Sequence, residues 1–335
     1  LYFRFLFLRF DQYRIRNNKT GHLLKMAMTQ SEWYQTLSSE KKREIHRLGV
    51  LNPHWNLIQI LFVLVWIGLG WLIMNAPHWS IWVACYFLAG MVVHGIGNFM
   101  HEGIHGNLFR NKRWNRVLGF LSGVPTLLSV SAFGANHLLH HKHTRTEQDP
   151  DELLHVSKNR TVQSMVFYLW FLFGTLVFGL RIAKLVMTQC SNAERNAIFK
   201  ENTLIALFLS VILLSAYFLG FFNVLLHCWI IPLAVASLMV NIRSWSEHQL
   251  TSTDHPLRQT RTITGSRFFS FFNINLNYHL EHHLFPGVPW YNLPALHQLL
   301  QPEYEKAGAS IYRSYSWFLW DAVRYGIHGR TPDLQ

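Results

Sequence analysis

The chain has 335 residues, half of them hydrophobic, with 25 Phe, 13 Trp and 12 Tyr but only 14% charged side chains. Soluble domains carry about 25% charged residues, so this deficit, gathered into long apolar runs, excludes an ordinary soluble globule and points to the membrane. The formal charge of +12 lies beside the apolar runs, which fits an anionic membrane face and leaves no nucleic-acid partner expected.

Residues 1–335 read as one membrane-bound domain of all-α class, with four transmembrane helices in two hairpins and a cytoplasmic helical cap. Residues 1–54 form an N-terminal cytoplasmic or interfacial segment. It opens on the basic-aromatic run LYFRFLFLRF, too short to span and without the small-residue cleavage pattern of a signal peptide. Residues 30–50 predict a surface helix capped by Ser38 or Ser39. Residues 55–100 hold the first hairpin: an uncharged span at 55–74 with Trp55 and Trp71 at the two interfaces, a turn at Pro77, and a return over 81–100.

Residues 101–202 form a cytoplasmic and interfacial region. Arg110, Lys112, Arg113 and Arg116 place it on the inner side by the positive-inside bias. The segments 117–133 and 165–187 are apolar. The first is broken by Gly119, Gly123 and Pro125 and reads as re-entrant or interfacial; the second, interrupted by Arg181 and Lys184 near its end, reads as an interfacial helix. Residues 203–242 have the length of a second hairpin, turning near Gly220 and Asn223. Residues 243–335 complete a C-terminal cytoplasmic cap. With four crossings, both termini and every histidine cluster fall on one face.

Three histidine-rich stretches carry the chemistry: HEGIH at 101–105, HLLHHKH at 137–143 and HLEHH at 279–283. His101 and His105 share a helix face; so can His137, His140 and His141, and His279, His282 and His283 repeat that spacing. His248 ends the second hairpin and brings the metal-facing set to nine. Neutral imidazole is a strong transition-metal ligand, and nine are too many for one ion, so two are expected. His94, His143, His255 and His297 read as surface or supporting residues. Glu102, Glu247, Glu281, Asp149, Asp151 and Glu152 are candidates to orient ligand histidines through their second ring nitrogen. For the DPDE acids a solvated loop is an equal reading. HEGIH also matches the zinc-protease pattern with Glu102 as general base, a reading that leaves the other two stretches idle.

The ligand set holds no cysteine, which argues against electron-transfer copper and iron–sulfur centres; Cys85, Cys190 and Cys228 are widely separated. No flavin or dinucleotide fingerprint occurs, so electrons must come from another protein, and the basic face suits an acidic carrier. HEGIH, NHLLHH and NYHLEHHLFPGVPWYNLPALH resemble the three histidine boxes of the integral-membrane fatty acid desaturase and hydroxylase superfamily, over about residues 94–297. The resemblance implies a non-haem di-iron centre held by His101, His105, His137, His140, His141, His248, His279, His282 and His283. It also implies activation of dioxygen with two external electrons, delivered by a ferredoxin or cytochrome b5 type carrier and its reductase, and attack on a lipid or acyl methylene. Related desaturases carry an Asn four residues before the His248 position; here that place is Ser244, and its role is not carried over. Desaturation leads. Hydroxylation or ketolation of an acyl chain or carotenoid stays open, as does, remotely, a histidine-lined metal transporter.

Overall fold

The computed structural model describes residues 28–153 and 156–327; the basic-aromatic run at 1–10 lies outside them. Two short helices come first. α1 (Gln30–Thr36) starts with a reciprocal cap, in which Thr29 accepts from the Glu32 amide and Glu32 from the Thr29 amide. α2 (Ser39–Leu48) is capped by Ser38. Both fold back under the C-terminal part of the chain. Trp33, Leu37, Ile45 and Leu48 share a core with Phe99, Leu280, Phe285, Trp290, Leu293 and Leu296. Each such side chain contributes about 1.5–3 kcal/mol when fully buried. This core ties the segment around the third box to the first hairpin.

α3 (Ile58–Asn75) follows a 3-10 turn at Pro53–Leu57, and α4 (Trp79–His105) returns beside it. The first box lies inside α4, as its last turns. Gly106, at φ 79° in the left-handed region, ends the helix just past His105. Glycines let neighbours come close to α4. A Cβ on Gly95 would stand 2.3 Å from the Phe62 ring, and one on Gly103 would stand 2.8 Å from Asn115 O.

α5 (Lys112–Gly123) and α6 (Val130–His143) meet at a 102° bend around Pro125. α7 (Arg160–Thr188) is one unbroken helix of 29 residues. The second hairpin is α8 (Asn192–Leu219), a left-handed turn at Gly220, α9 (Phe222–Leu225), a π turn at Leu226–Ile230, and α10 (Ile231–His248). It is therefore longer at both ends than the apolar run 203–242, because polar first and last turns continue the helices beyond the hydrocarbon-like stretch. Among the described residues, five helical stretches are long and apolar enough to cross a membrane: Pro53–Asn75, Trp79–His105, Arg160–Thr188, Asn192–Leu219 and Phe222–His248.

α7 touches histidine-bearing helices along both halves. Near its start, the Phe167 and Trp245 rings lie 5.0 Å apart and Trp170 Nε1 donates to Ser244 Oγ at 3.0 Å, both partners being on the last turns of α10. Farther on, Phe178 meets Phe133 of α6 at 5.8 Å, and Ile182 and Leu185 share a core with Ala132. The C-terminal region adds α11 (Arg267–Phe272), α12 (His279–Leu284), α13 (Leu293–Ala307) and α14 (Tyr315–Tyr325). The fold is helical as expected, with one short exception. β1 (Thr262–Ile263) pairs in parallel with β2 (Ile311–Tyr312), Thr262 opposite Ile311 and Ile263 opposite Tyr312.

Candidate metal centre

Four elements deliver the nine imidazoles to one place. His101 and His105 come from the end of α4, His137, His140 and His141 from α6, His248 from the end of α10, and His279, His282 and His283 from α12. They form two adjoining nests. The ligand atoms of His101, His105, His137, His141 and His282 lie within 4.8 Å of one another, as do those of His140, His248 and His283. His279 joins the second nest, its Nε2 2.7 Å from that of His248.

In the first nest, the Nε2 atoms of His137 and His105 are 2.9 Å apart, those of His141 and His137 3.0 Å, and those of His282 and His141 3.0 Å. Ligands at right angles around an ion with metal–nitrogen bonds of roughly 2.1 Å are separated by about 3 Å. Convergence of several Nε2 atoms at that spacing is the pattern of a ligand shell. In the second nest, the Thr144 hydroxyl donates to His140 O at 2.8 Å, so it accepts from His283 Nδ1 at 3.3 Å. That places the His283 proton on Nδ1 and leaves the Nε2 lone pair free. This Nε2 is buried and has no hydrogen-bond partner among the described residues. Burial holds His279, His282 and His283 well below the ordinary histidine range, so these rings are neutral donors. Geometry, orphaned nitrogen and an all-imidazole donor set fit two first-row transition metal ions.

Carboxylates stand behind several ligands. His140 Nδ1 lies 2.8 Å from Asp149 Oδ1 and 3.8 Å from Asp151 Oδ2. Burial opposes ionisation of Asp149, yet His140 and the Asp151 and Arg145 amides hold it below its usual value; burial pushes Asp151 up. Glu247 approaches His279 Nδ1 at 3.6 Å and is paired with Arg243 at 3.1 Å. Glu102 lies 3.4 Å from His101 Nδ1 and accepts from the Trp290 amide at 3.1 Å. It is on the Nδ1 side of the ring, the wrong place for the general base of a zinc protease. Glu281 turns away from the nests and takes His297 Nδ1 at 2.6 Å and Thr262 Oγ1 at 2.5 Å. Glu152 pairs with Arg145.

His94 lies outside both nests, 3.5 Å from Arg243, whose guanidinium also donates to Asn98 at 2.7 Å. His255 caps the Leu257 amide. Ser244 receives the Trp170 indole and is thereby engaged toward α7. Two supporting residues have no place in the sequence reading. Glu201 of α8 accepts from Ser129 Oγ at 2.6 Å and from the amide and hydroxyl of Ser131 at 2.8 and 2.6 Å, pinning the start of α6. A carboxylate in an apolar helix is itself a signal. Arg261, in an unpatterned loop, gives none.

A cavity of about 1210 Å³ opens onto His105, His141 and His283, and Arg110, Lys112, Arg116 and Lys142 also line it. With this centre in place, comparison with known proteins is decisive: residues 77–315 match the fatty acid desaturase family. The chain belongs to that family. It is 27% identical to dihydrorhizobitoxine desaturase of Bradyrhizobium elkanii over 258 residues, covering 69% of this chain and 72% of that one. It is also 27% identical to a beta-carotene ketolase of Paracoccus sp. (67% and 82% covered). To a sphingolipid delta(4)-desaturase of Drosophila melanogaster it is 26% identical (84% and 88% covered). This family member is a multi-pass membrane oxidoreductase of the desaturase superfamily, with histidine clusters suited to metal.

Proposed function

We propose that the protein is a dioxygen-dependent desaturase of a membrane-lipid acyl chain, with two irons in the two nests and electrons from an external carrier. The observation that carries this reading is the convergence of nine imidazoles, with no thiolate, into two adjoining nests. Iron held by these imidazoles would supply the dioxygen activation needed to take hydrogen from an unactivated methylene pair. The chain's own residues hold and orient. Asp149 and Glu247 fix His140 and His279 from behind, Thr144 fixes the proton of His283, and the apolar helices hold an acyl chain beside the nests away from water.

Four crossings suit this site. His105 ends α4 and His248 ends α10, and both meet α6, with ring centroids 4.8 Å apart for His105 and His141 and 4.5 Å for His248 and His140. An even number of crossings must separate the boxes. With α8 and the α9–α10 stretch crossing, α7 lies along the membrane face, consistent with its contacts to α6 and α10 at both halves. The bend between α5 and α6 then makes a re-entrant pair. Residues 28 and 327, the ends of the described chain, then fall on the cytoplasmic side with the metal centre. The basic lining of the cavity, Arg110, Lys112, Arg116 and Lys142, suits an acidic ferredoxin or cytochrome b5 type carrier. A metal transporter would spread its histidines through the membrane depth, whereas these gather at one end of α4 and α10.

Oxygen insertion is the second reading, favoured by the similarity to a ketolase. The test is to supply iron-loaded protein with a reducing system, oxygen and a mixed lipid pool, and to weigh the products. Loss of two hydrogens supports desaturation. Gain of one oxygen supports hydroxylation, and no oxygen-dependent product refutes both.

A further inference from the structure

Arg261 is the largest fully buried side chain among the described residues. Among the described residues no carboxylate forms an ion pair with it. Its guanidinium is spent on the end of α10. Nη1 donates to Ser246 O and, at 2.9 Å, to Gln249 O; Nη2 donates to Leu250 O at 3.1 Å. Its own backbone N–H donates to Glu247 O at 2.9 Å. These carbonyls belong to the last turn of α10 and the two residues after it, where a helix leaves acceptors without partners and carries partial negative charge. Leu250, at φ 57°, turns the chain sharply there.

His248 sits inside this knot. Its neighbours on both sides are held by Arg261, and its own carbonyl accepts from Thr251 Oγ1 at 2.8 Å. The other side of the guanidinium is held by the C-terminal segment. Nε donates to Ser310 Oγ at 2.9 Å, and the Tyr312 and Phe318 ring centroids lie 4.4 and 5.1 Å away. β2 and α14 therefore brace a cation whose donors fix the turn carrying His248, although neither holds a metal-facing histidine.

We propose that Arg261 is a positioning residue for the second nest, setting His248 against His279, His140 and His283 and coupling the C-terminal segment to occupancy of that nest alone. The inference rests on the two-ion reading above. Burial lowers the Arg261 guanidinium to about 10, so it remains a cation at neutral pH. Lysine can supply the charge but not the fork that serves several carbonyls at once.

The experiment is an iron titration of the full-length protein in detergent or nanodiscs, with metal counted per chain and the ferric resonance spectrum recorded, for wild type, Arg261→Lys, Arg261→Met and His248→Ala. Arg261→Met is expected to keep one ion at wild-type affinity and to bind the other at least tenfold more weakly. Its spectrum should resemble that of His248→Ala, an isolated ferric ion in place of a coupled pair, with Arg261→Lys between the two. Should Arg261→Met fail to accumulate, Tyr312→Leu, which removes the ring beneath the guanidinium, must weaken the second ion in the same direction. Two ions at wild-type affinity in the variants, or equal loss of both ions at unchanged helical content, overturns the proposal. A wild type that does not bind two ions refutes the underlying reading instead.

Discussion

His141 and His283 lie ring against ring, with centroids 4.1 Å apart and planes 12° from parallel, although each belongs to a different nest. The two nests therefore share a wall. His141→Ala should disturb both ions, reducing oxygen-dependent turnover by more than about 100-fold and loosening the second ion as well as the first. Metal titration checks this; an unchanged second ion would mean the nests act separately.

Asp149 holds His140 from behind at 2.8 Å. Asp149→Asn keeps the shape but removes the charge that favours a bound, electron-rich imidazole. Metal affinity of the second nest should fall by about 10–100-fold, read by competition with a chelator. The first nest should change little.

Packing at Gly103 is tight and at Gly68 open. A Cβ at Gly103 would meet Asn115 O at 2.8 Å, whereas one at Gly68 meets nothing within 4 Å. Gly103→Val should destabilise the α4–α5 contact by about 1–3 kcal/mol, seen as a lower thermal midpoint in detergent. Gly68→Ala should leave it unchanged or slightly raised.

Glu201 takes three donors from Ser129 and Ser131. Glu201→Ala leaves buried donors unmatched at the start of α6 and should cost about 1–3 kcal/mol. Glu201→Gln, which keeps one acceptor oxygen, should cost less. The order of thermal midpoints tests the assignment.

Reversing charge at the cavity, Arg110→Glu with Arg116→Glu, should raise the carrier concentration needed for half-maximal rate and weaken its salt dependence. Turnover with a small neutral reductant should be spared. Equal loss with both donors would place these residues in substrate handling.

The sequence makes some of this site legible and hides the rest for physical reasons. Helical periodicity groups His101 with His105 and His137 with His141, because ligands on one helix share a face. It does not divide nine histidines between two nests. That division depends on how α4, α6, α10 and α12 pack: His282 joins the first nest while His283, one residue on, joins the second. Apolar length marks the second hairpin, but its polar end turns, such as the capped start at Ser191, escape a hydropathy window. Glu281 lies between two metal-facing histidines in sequence and still turns to His297, since successive helical side chains diverge. Arg261 acts on backbone carbonyls, and no pattern of residue types records that.

The most direct test of the central claim is the number of ions per chain. Protein loaded with ferrous iron without oxygen, then freed of excess metal, should retain two irons per chain. Removing the ions with a chelator should abolish oxygen-dependent product formation, and returning iron should restore it. Retention of no metal, or of product formation after every ion is removed, would contradict the account.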